Sequence, residues 1–310
     1  MNLTFGIVTI NSYAGLNYEK QAIYDNAVKH FKKVLLIDPR KVSYQFIRGA
    51  KKPIIRYLGQ NLANLSALHI RGSKKIVNST SILAHSLDFC GCIISDPVYK
   101  FKSGYGSKLL STFGQYETDA GSSSFIAFDL ENTLALIDSI ELKKLFPIIV
   151  KPIKGSQGRG ISLLKTAAEM LAYSTIFFKE RTDTDTPIFF QTFVSFVKEY
   201  RIFVIDKKII GLVVKIKEKG KIVANAAQGA TFIPIENPQQ VIVEFILDHL
   251  PNGIYGVDVA IDTTGGIHLI EANTSPNWKA FQESTGIDVA AVIIQDTLKK
   301  INDRSEFTEF

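Results

Sequence analysis

Cysteine is almost missing from this 310-residue chain, and the two present, Cys90 and Cys92, stand one residue apart. A pair so close cannot clip distant parts of the chain together, so no disulfide framework is expected. With no further Cys and no His cluster beside them, they make a poor zinc site as well. The histidines, His30, His69, His85, His249 and His268, are scattered and read as structural. No apolar run approaches the roughly 20 residues that span a bilayer. The start, MNLTFGIVTIN, lacks the basic region and long apolar core of a secretion signal, so a cytoplasmic location without membrane contact is expected. Internal repeats and low-complexity tracts are absent. So is a dense basic stripe interleaved with aromatics: the net charge of +6 is spread in pairs such as Lys32-Lys33, Lys51-Lys52, Lys74-Lys75, Lys143-Lys144 and Lys299-Lys300. That distribution argues against nucleic acid and suits the attraction of small anions.

What is present is an ordinary globular composition, 46% hydrophobic and 21% charged, in a chain long enough for two or three lobes. In the first hundred residues the runs Thr4–Ile10 and Val34–Ile37 read as buried strands, with a helix over Asn17–His30 between them. Strand, helix and strand in that order predict a βαβ unit with parallel strands. Leu65–Ile70 and Cys92–Ile94 are further strand candidates, and Ser79–Phe89 is a helix capped by Asn78 or Ser79. The Gly-containing segment Asn11–Leu16 lacks a dinucleotide fingerprint and reads as a strand-to-helix turn. From Ser95 to Ser124 the composition shifts to Gly, Ser, Tyr and Lys, marking a lobe boundary. Beyond it come a short helix Lys108–Phe113, a strand Phe125–Phe128, a helix Asn132–Leu145 and a strand Ile148–Lys151. Pro187–Val194 follows as a strand, then a hairpin of Tyr200–Ile205 and Lys208–Lys215, helices Pro238–Leu250 and Asp288–Ile301, and a frayed tail Arg304–Phe310.

The chemistry concentrates in Gly256–Asn277, GVDVAIDTTGGIHLIEANTSPN. Two β-branched runs flank Thr263-Thr264-Gly265-Gly266, the pattern of a hairpin. A turn centred between Thr264 and Gly265 sets Asp258 opposite Glu271, with Glu271 and Asn273 on one face. Two carboxylates that close repel unless a cation sits between them, and a hard divalent cation with oxygen ligands fits the set Asp258, Glu271 and Asn273. Upstream, Lys151 ends an apolar strand and is followed by Lys154-Gly155-Ser156-Gln157-Gly158-Arg159-Gly160. Three glycines in six residues let backbone N–H groups approach phosphate oxygens, although the loop lacks the Gly-Lys-Ser/Thr ending of a P-loop. Alone, such a loop is equally a glycine-rich hairpin tip.

Taken together, Lys151, the GSQGRG loop, Glu199-Tyr200-Arg201, Asn225, Val257–Val259, EANTSPN and Thr285–Asp288 resemble the ATP-grasp ligases, and most closely the RimK group, which joins amino acids to carboxylates. The resemblance runs from about Lys108 to Ile301 and implies an α/β (α+β lobes) ATP-grasp fold behind an N-terminal βαβ, Rossmann-like domain. It implies a substrate-side domain over 1–100, a lobe with the glycine-rich loop over 101–186 and a lobe with the magnesium site over 187–303, ahead of the tail 304–310. By the same resemblance Lys108 and Lys151 hold ATP phosphates, with Lys100 and Lys102 as rivals to Lys108, and Gly155, Ser156, Gln157, Gly158 and Gly160 belong to the loop that closes over the nucleotide. Gln191, Thr192 and Phe193 fall in the adenine hinge, where the family commonly has Glu in place of Thr192, so ribose recognition differs or passes to another residue. Glu199 joins the nucleotide side, and Arg201, Lys215 and Asn225 surround the phosphates and the reacting carboxylate. Position 215 is often Arg, so Lys215 keeps the charge without the fork. Asp258, Glu271 and Asn273 match the magnesium ligands, with manganese as a substitute.

The activity so implied is an ATP-dependent amide-bond ligation through an acyl phosphate, adding an amino acid such as glutamate to a small molecule, a peptide or a protein terminus. The alternatives are a macrocyclising ligase acting on a ribosomal precursor peptide and a silent nucleotide-binding regulator. A carboxylate and an amine are the expected partners, in a homodimer or homotetramer. Trp278 is left between a substrate pocket and a plug at the lobe interface, and Phe189, Phe190, Phe193 and Phe196 read as core rather than adenine clamp.

Overall fold

A computed structural model describes residues 2–72, 76–96, 123–152, 160–216, 231–235 and 250–306. The first sheet is parallel. Strand β1 (Thr4–Val8) pairs with β2 (Lys33–Ile37) on one side and β6 (Ala67–His69) on the other, and β7 (Ile93–Ile94) extends the row to β2-β1-β6-β7. Helix α1 (Tyr18–Ala27) makes the crossover. Its N-cap is Asn17, whose side chain accepts from Lys20 N at 3.2 Å, and it buries Ile23 and Ala27. The expected βαβ unit is therefore present. Between β2 and β6 lies a three-stranded meander that the sequence reading left out, β3 (Val42–Gln45), β4 (Ile54–Tyr57) and β5 (Gln60–Asn61).

Helix α2 (Val77–Phe89) starts two residues earlier than expected, and its cap is neither Asn78 nor Ser79. Ile76 holds that place without a side-chain bond, while the Ser79 hydroxyl donates to the Ile76 carbonyl at 3.1 Å.

The second sheet is antiparallel, in the order β10-β9-β11-β8, from β8 (Ser124–Ala127), β9 (Ile148–Lys151), β10 (Ser162–Leu164) and β11 (Ile188–Thr192). Two helices cover it, α3 (Leu130–Leu142) and α4 (Ala167–Glu180), enclosing Ile137, Ile140, Val150, Leu164, Met170 and Phe190. Helix α4 was missed from the sequence, although Thr166 and Glu169 form a capping box: Thr166 Oγ1 accepts from Glu169 N at 3.2 Å, and Glu169 Oε2 accepts from Lys165 N at 2.7 Å.

The third sheet, β14-β13-β12-β15-β16, carries the hairpins. Strands β12 (Phe196–Ile205) and β13 (Lys208–Ile216) turn at Asp206 and Lys207, both with positive φ, as a two-residue hairpin twisted to match its strands requires. Edge strand β14 (Thr231–Pro234) was also unforeseen. Strands β15 (Ile254–Asp262) and β16 (Ile267–Asn273) set Asp258 against Glu271 as expected, but by a different route. Near the turn the pairing is Ile261 with Ile267 and Val259 with Leu269, half a step off the expected centre, and a bulge at Ile270 restores the register. Regular alternation would put Leu269, Glu271 and Asn273 on one face. With the surplus residue, Leu269 and Ala272 join Val257 and Val259 in the core on one side, and Glu271 stands with Asp258 on the other.

That other face is divided along its length. One end, Phe203, Ile205, Val213 and Ile254, packs against Phe5 and Ile7 of the parallel sheet, against Phe31 between α1 and β2, and against two closing helices, α5 (Lys279–Thr285) and α6 (Val289–Glu306). Trp278 lies fully buried in this joint, its ring 6.1 Å from Phe203, and so serves as a plug. Helix α6 continues to Glu306, past the expected start of the tail at Arg304. The expected helix Lys108–Phe113, and Pro238–Leu250 apart from its last residue, lie outside the described residues.

Candidate active site

The polar end of the same face brings together Glu199 and Arg201 from β12, Lys215 from β13, Asp258 from β15, and Glu271 and Asn273 from β16. Cross-strand pairing makes neighbours of Arg201 and Asp258, of Glu199 and Lys215, and of Asp258 and Glu271. Arg201 grips Asp258 with its fork: Nε to Oδ1 is 2.5 Å and Nη2 to Oδ2 is 2.9 Å. Lys215 donates to Glu199 Oε1 and lies 3.2 Å from Asp258 Oδ2. Glu199, Lys215 and Asp258 are all buried. Burial by itself would raise the Asp258 carboxyl, but Arg201 and Lys215 outweigh it and hold it below the usual carboxylate range.

Lys151 comes to this cluster from the second sheet. Its ammonium donates to Gln191 Oε1, and Gln191 Nε2 in turn donates to Ser124 Oγ at 3.0 Å. Burial lowers the Lys151 pKa, and the opposing pull of Glu271, Glu199 and Asp258 only partly offsets it. Two sheets thus meet on one patch, with three cations, Lys151, Arg201 and Lys215, facing three carboxylates, Glu199, Asp258 and Glu271. Formally neutral, the patch takes a polyphosphate only with added positive charge and takes a divalent cation only with added anions. The donor set fits a magnesium ion that arrives with phosphate. The described residues hold no trio of His, Cys, Asp or Glu placed to take a metal ion, so Asp258 and Glu271 would need the Asn273 amide, water and phosphate oxygens to complete a shell. Both Asp258 oxygens already accept from Arg201, yet a carboxylate has about four lone-pair sites and keeps room for a cation.

Of the hinge, Gln191 is spent on Lys151, and the Thr192 and Phe193 amides donate to the carbonyls of Ser123 at 2.9 Å and Pro147 at 3.0 Å. Phe189 and Phe190 are core, as expected, while Phe193 is 37% exposed. Gly160 has positive φ, and a Cβ there would fall 2.7 Å from Pro152 Cγ, so the return from the loop depends on glycine. Lys108, Gly155, Ser156, Gln157, Gly158 and Asn225 lie outside the described residues. The sequence reading passed over Arg71, from the parallel-sheet domain. Its Nη2 donates to the carbonyls of Ser275, at 3.4 Å, and Pro276, just past Asn273. No local motif marks it.

A glycine also shapes the site. A Cβ on Gly256 would lie 2.5 Å from Pro276 Cβ and 3.2 Å from Arg201 Nη1. Gly256→Ala is expected to displace the Pro276 turn and the Arg201 fork at a cost of about 1–3 kcal/mol. A lowered midpoint of denaturant unfolding, with the slope unchanged, would show it; an unchanged midpoint would show that the turn yields freely.

Solved structures place this architecture among the ATP-grasp folds. The ATP-grasp ligase PsnB, complexed with a minimal precursor, superposes with a TM-score of 0.70 at 15% identity, covering 96% of this chain and 99% of that one. The macrocyclase MdnC of Microcystis aeruginosa, bound with precursor peptide MdnA, gives 0.61 at 16% identity over 94% and 100% of the two chains. Residues 116–297 match the RimK-like ATP-grasp domain, more than half of the chain, and the chain belongs to that family. A probable alpha-L-glutamate ligase of Shewanella pealeana is 24% identical over 260 residues, which are 77% of this chain and 54% of the relative. Human beta-citrylglutamate synthase B is 24% identical over 168 residues, 53% of this chain and 42% of the relative. The chain spans about half the length of the named relatives it matches. No helix among the described residues is long and apolar enough to cross a membrane.

Proposed function

We propose that the chain is an ATP-dependent carboxylate–amine ligase that joins an amino acid, glutamate first among candidates, to an acid through an acyl phosphate. The observation that carries this reading is the balanced cluster of six charges where the second and third sheets meet, with Asn273 beside it. Asp258, Glu271 and Asn273 would hold magnesium, which would supply positive charge to offset that of the phosphates. Lys151 is placed to pair with phosphate oxygens, exchanging Gln191 for them. Arg201 and Lys215 would offset the charge that builds on the transferred phosphoryl group and then on the tetrahedral centre. The acid's carboxylate oxygen takes the γ-phosphoryl group from ATP. The amine then displaces phosphate from the acyl carbon, giving amide, phosphate and ADP. No nucleophilic side chain is required. Gly155–Gly160 would close over the nucleotide and keep water from the acyl phosphate.

The relatives named for glutamate ligation favour an amino-acid amine. A second reading, ligation within a peptide, is favoured by the likeness over nearly the whole chain to PsnB and MdnC, both solved with precursor peptides. Incubation with ATP, magnesium and a matrix of acids and amines, glutamate included, tests the reading through phosphate release and new amide masses. The expected result is phosphate in step with one amide, in a pair containing an amino acid. ADP from no pair, small or peptide, would leave only the regulatory alternative.

A further inference from the structure

The parallel sheet has a ligand-taking end of its own. The chain leaves β1 for β2 on one side and later returns to β6 on the other, so the connections part company at the carboxyl ends of β1 and β6. Open α/β sheets take ligands at such a switch point. Three nitrogen donors gather there. Lys20, on the first turn of α1, is half-buried; His69, the last residue of β6, and Arg71 just after it are buried. The charges of Arg71 and Lys20 act on the His69 ring, and that of Arg71 acts on Lys20, so the three are within electrostatic reach of one another.

Lys20 and His69 show the strain of crowded nitrogen donors. Burial first, then the two cations, push the His69 pKa down to about 3 and keep the ring neutral. Burial first, then Arg71, bring Lys20 down to about 8. His69 Nδ1 lies 2.8 Å from Ser95 Oγ; with the hydroxyl donating there, the proton sits on Nε2, which is buried with no hydrogen-bond partner among the described residues. An unsatisfied buried donor is costly, and like charges in a half-buried place repel. One anion relieves both.

Arg71 also ties this place to the proposed phosphate end. Besides its bonds to Ser275 and Pro276, it reaches Asn277 Oδ1 at 3.3 Å and lies 4.4 Å over the Trp278 ring. Pro276 follows Asn273 by only three residues, at most about 10 Å of extended chain. We propose that Lys20, His69 and Arg71 hold a second carboxylate of the acid substrate, distinct from the one activated beside Glu271 and Asn273. The acid is then one that carries at least two carboxylates, and a simple monocarboxylic acid is excluded. This rests on the ligase reading above.

The test uses the full chain without nucleotide, and mass spectrometry to follow the reaction of Lys20 with a small amine-reactive ester, in the presence of glutarate, citrate or acetate. Glutarate or citrate is expected to protect Lys20 at concentrations at least tenfold below acetate, and to do so equally in a Glu271→Ala protein. Lys20→Met should weaken glutarate or citrate binding, measured by calorimetry, at least tenfold and leave the affinity for ADP with magnesium unchanged. Equal protection by acetate, or none by any of the three, would overturn the subsite. Because the readout needs no ATP, lost protection beside intact turnover sinks only the subsite. Protection beside no turnover from any acid–amine pair sinks the ligase reading instead.

Discussion

Glu271→Ala is expected to stop ATP turnover, lowering it by at least about a hundredfold, while the protein folds and still binds ADP. The side chain stands on the site face of β16, outside the core formed by Leu269 and Ala272, so its loss opens no cavity. Its removal shifts the cluster from neutral to one net positive charge, which favours a phosphate-bearing ligand even as a proposed metal ligand is lost. Phosphate release, ADP affinity and the thermal midpoint, measured on one preparation, separate these effects. Turnover at the wild-type rate would remove Glu271 from the proposed magnesium site.

Arg201→Met is expected to cost both ligation and stability. Asp258 is buried, and the variant leaves it Lys215, which Glu199 shares, as its ion-pair partner among the described residues. Breaking a buried pair from one side costs about 3–5 kcal/mol, because the remaining charge stays desolvated. The pH dependence has a definite sign. In the wild type the folded Asp258 pKa lies below its unfolded value of about 3.9, so its contribution is present above that pH and fades as pH falls through the lower folded value. Without Arg201 the burial effect gains weight, the folded pKa rises, and acid unfolding should begin at higher pH. Denaturant melts at pH 7 and an acid titration by circular dichroism measure both. Product formation should vanish even where ADP still binds. A variant with unchanged stability, acid limb and yield would show that the fork on Asp258 is incidental.

The parts of this molecule that could be read from sequence are those whose cause is local. The crossover of β1, α1 and β2 follows from two apolar runs and an Asn cap, and the turn at Asp206-Lys207 from two short strands that needed to reverse. The opposition of Asp258 and Glu271 was legible too, although the bulge that produces it was not: Ile270 looks like any β-branched strand residue, and its displacement is settled by packing on the far face. Helix α4 left little trace despite the cap at Thr166, because only Met170 and Ser174 of its residues are buried and one of the two is polar. The ion pairs of Lys215 with Glu199 and of Arg201 with Asp258 needed strand order as well as strand identity. Lys20, His69 and Arg71 carried no signal at all, since only the crossover from β1 to β6 and the return of Ser275–Asn277 bring them into one place.

The surplus residue at Ile270 makes the phase of β16 independent of the turn that precedes it. On the turn side the strand keeps time with Asp262–Gly266; on the far side it keeps time with the charges of β12 and β13. Trimming the chain by one residue between Leu269 and Glu271 would therefore remove only the surplus residue and leave an unbroken ladder, with Leu269 still in the core and Glu271 still opposite Asp258. Keeping residue 270 while slipping the rest of the strand by one would instead exchange inside for outside over Glu271–Asn273, sending a carboxylate into a hydrocarbon layer. A one-residue gap at position 270 is thus tolerable where a one-residue slip is not, a pattern that a comparison of natural sequences can look for without any assay.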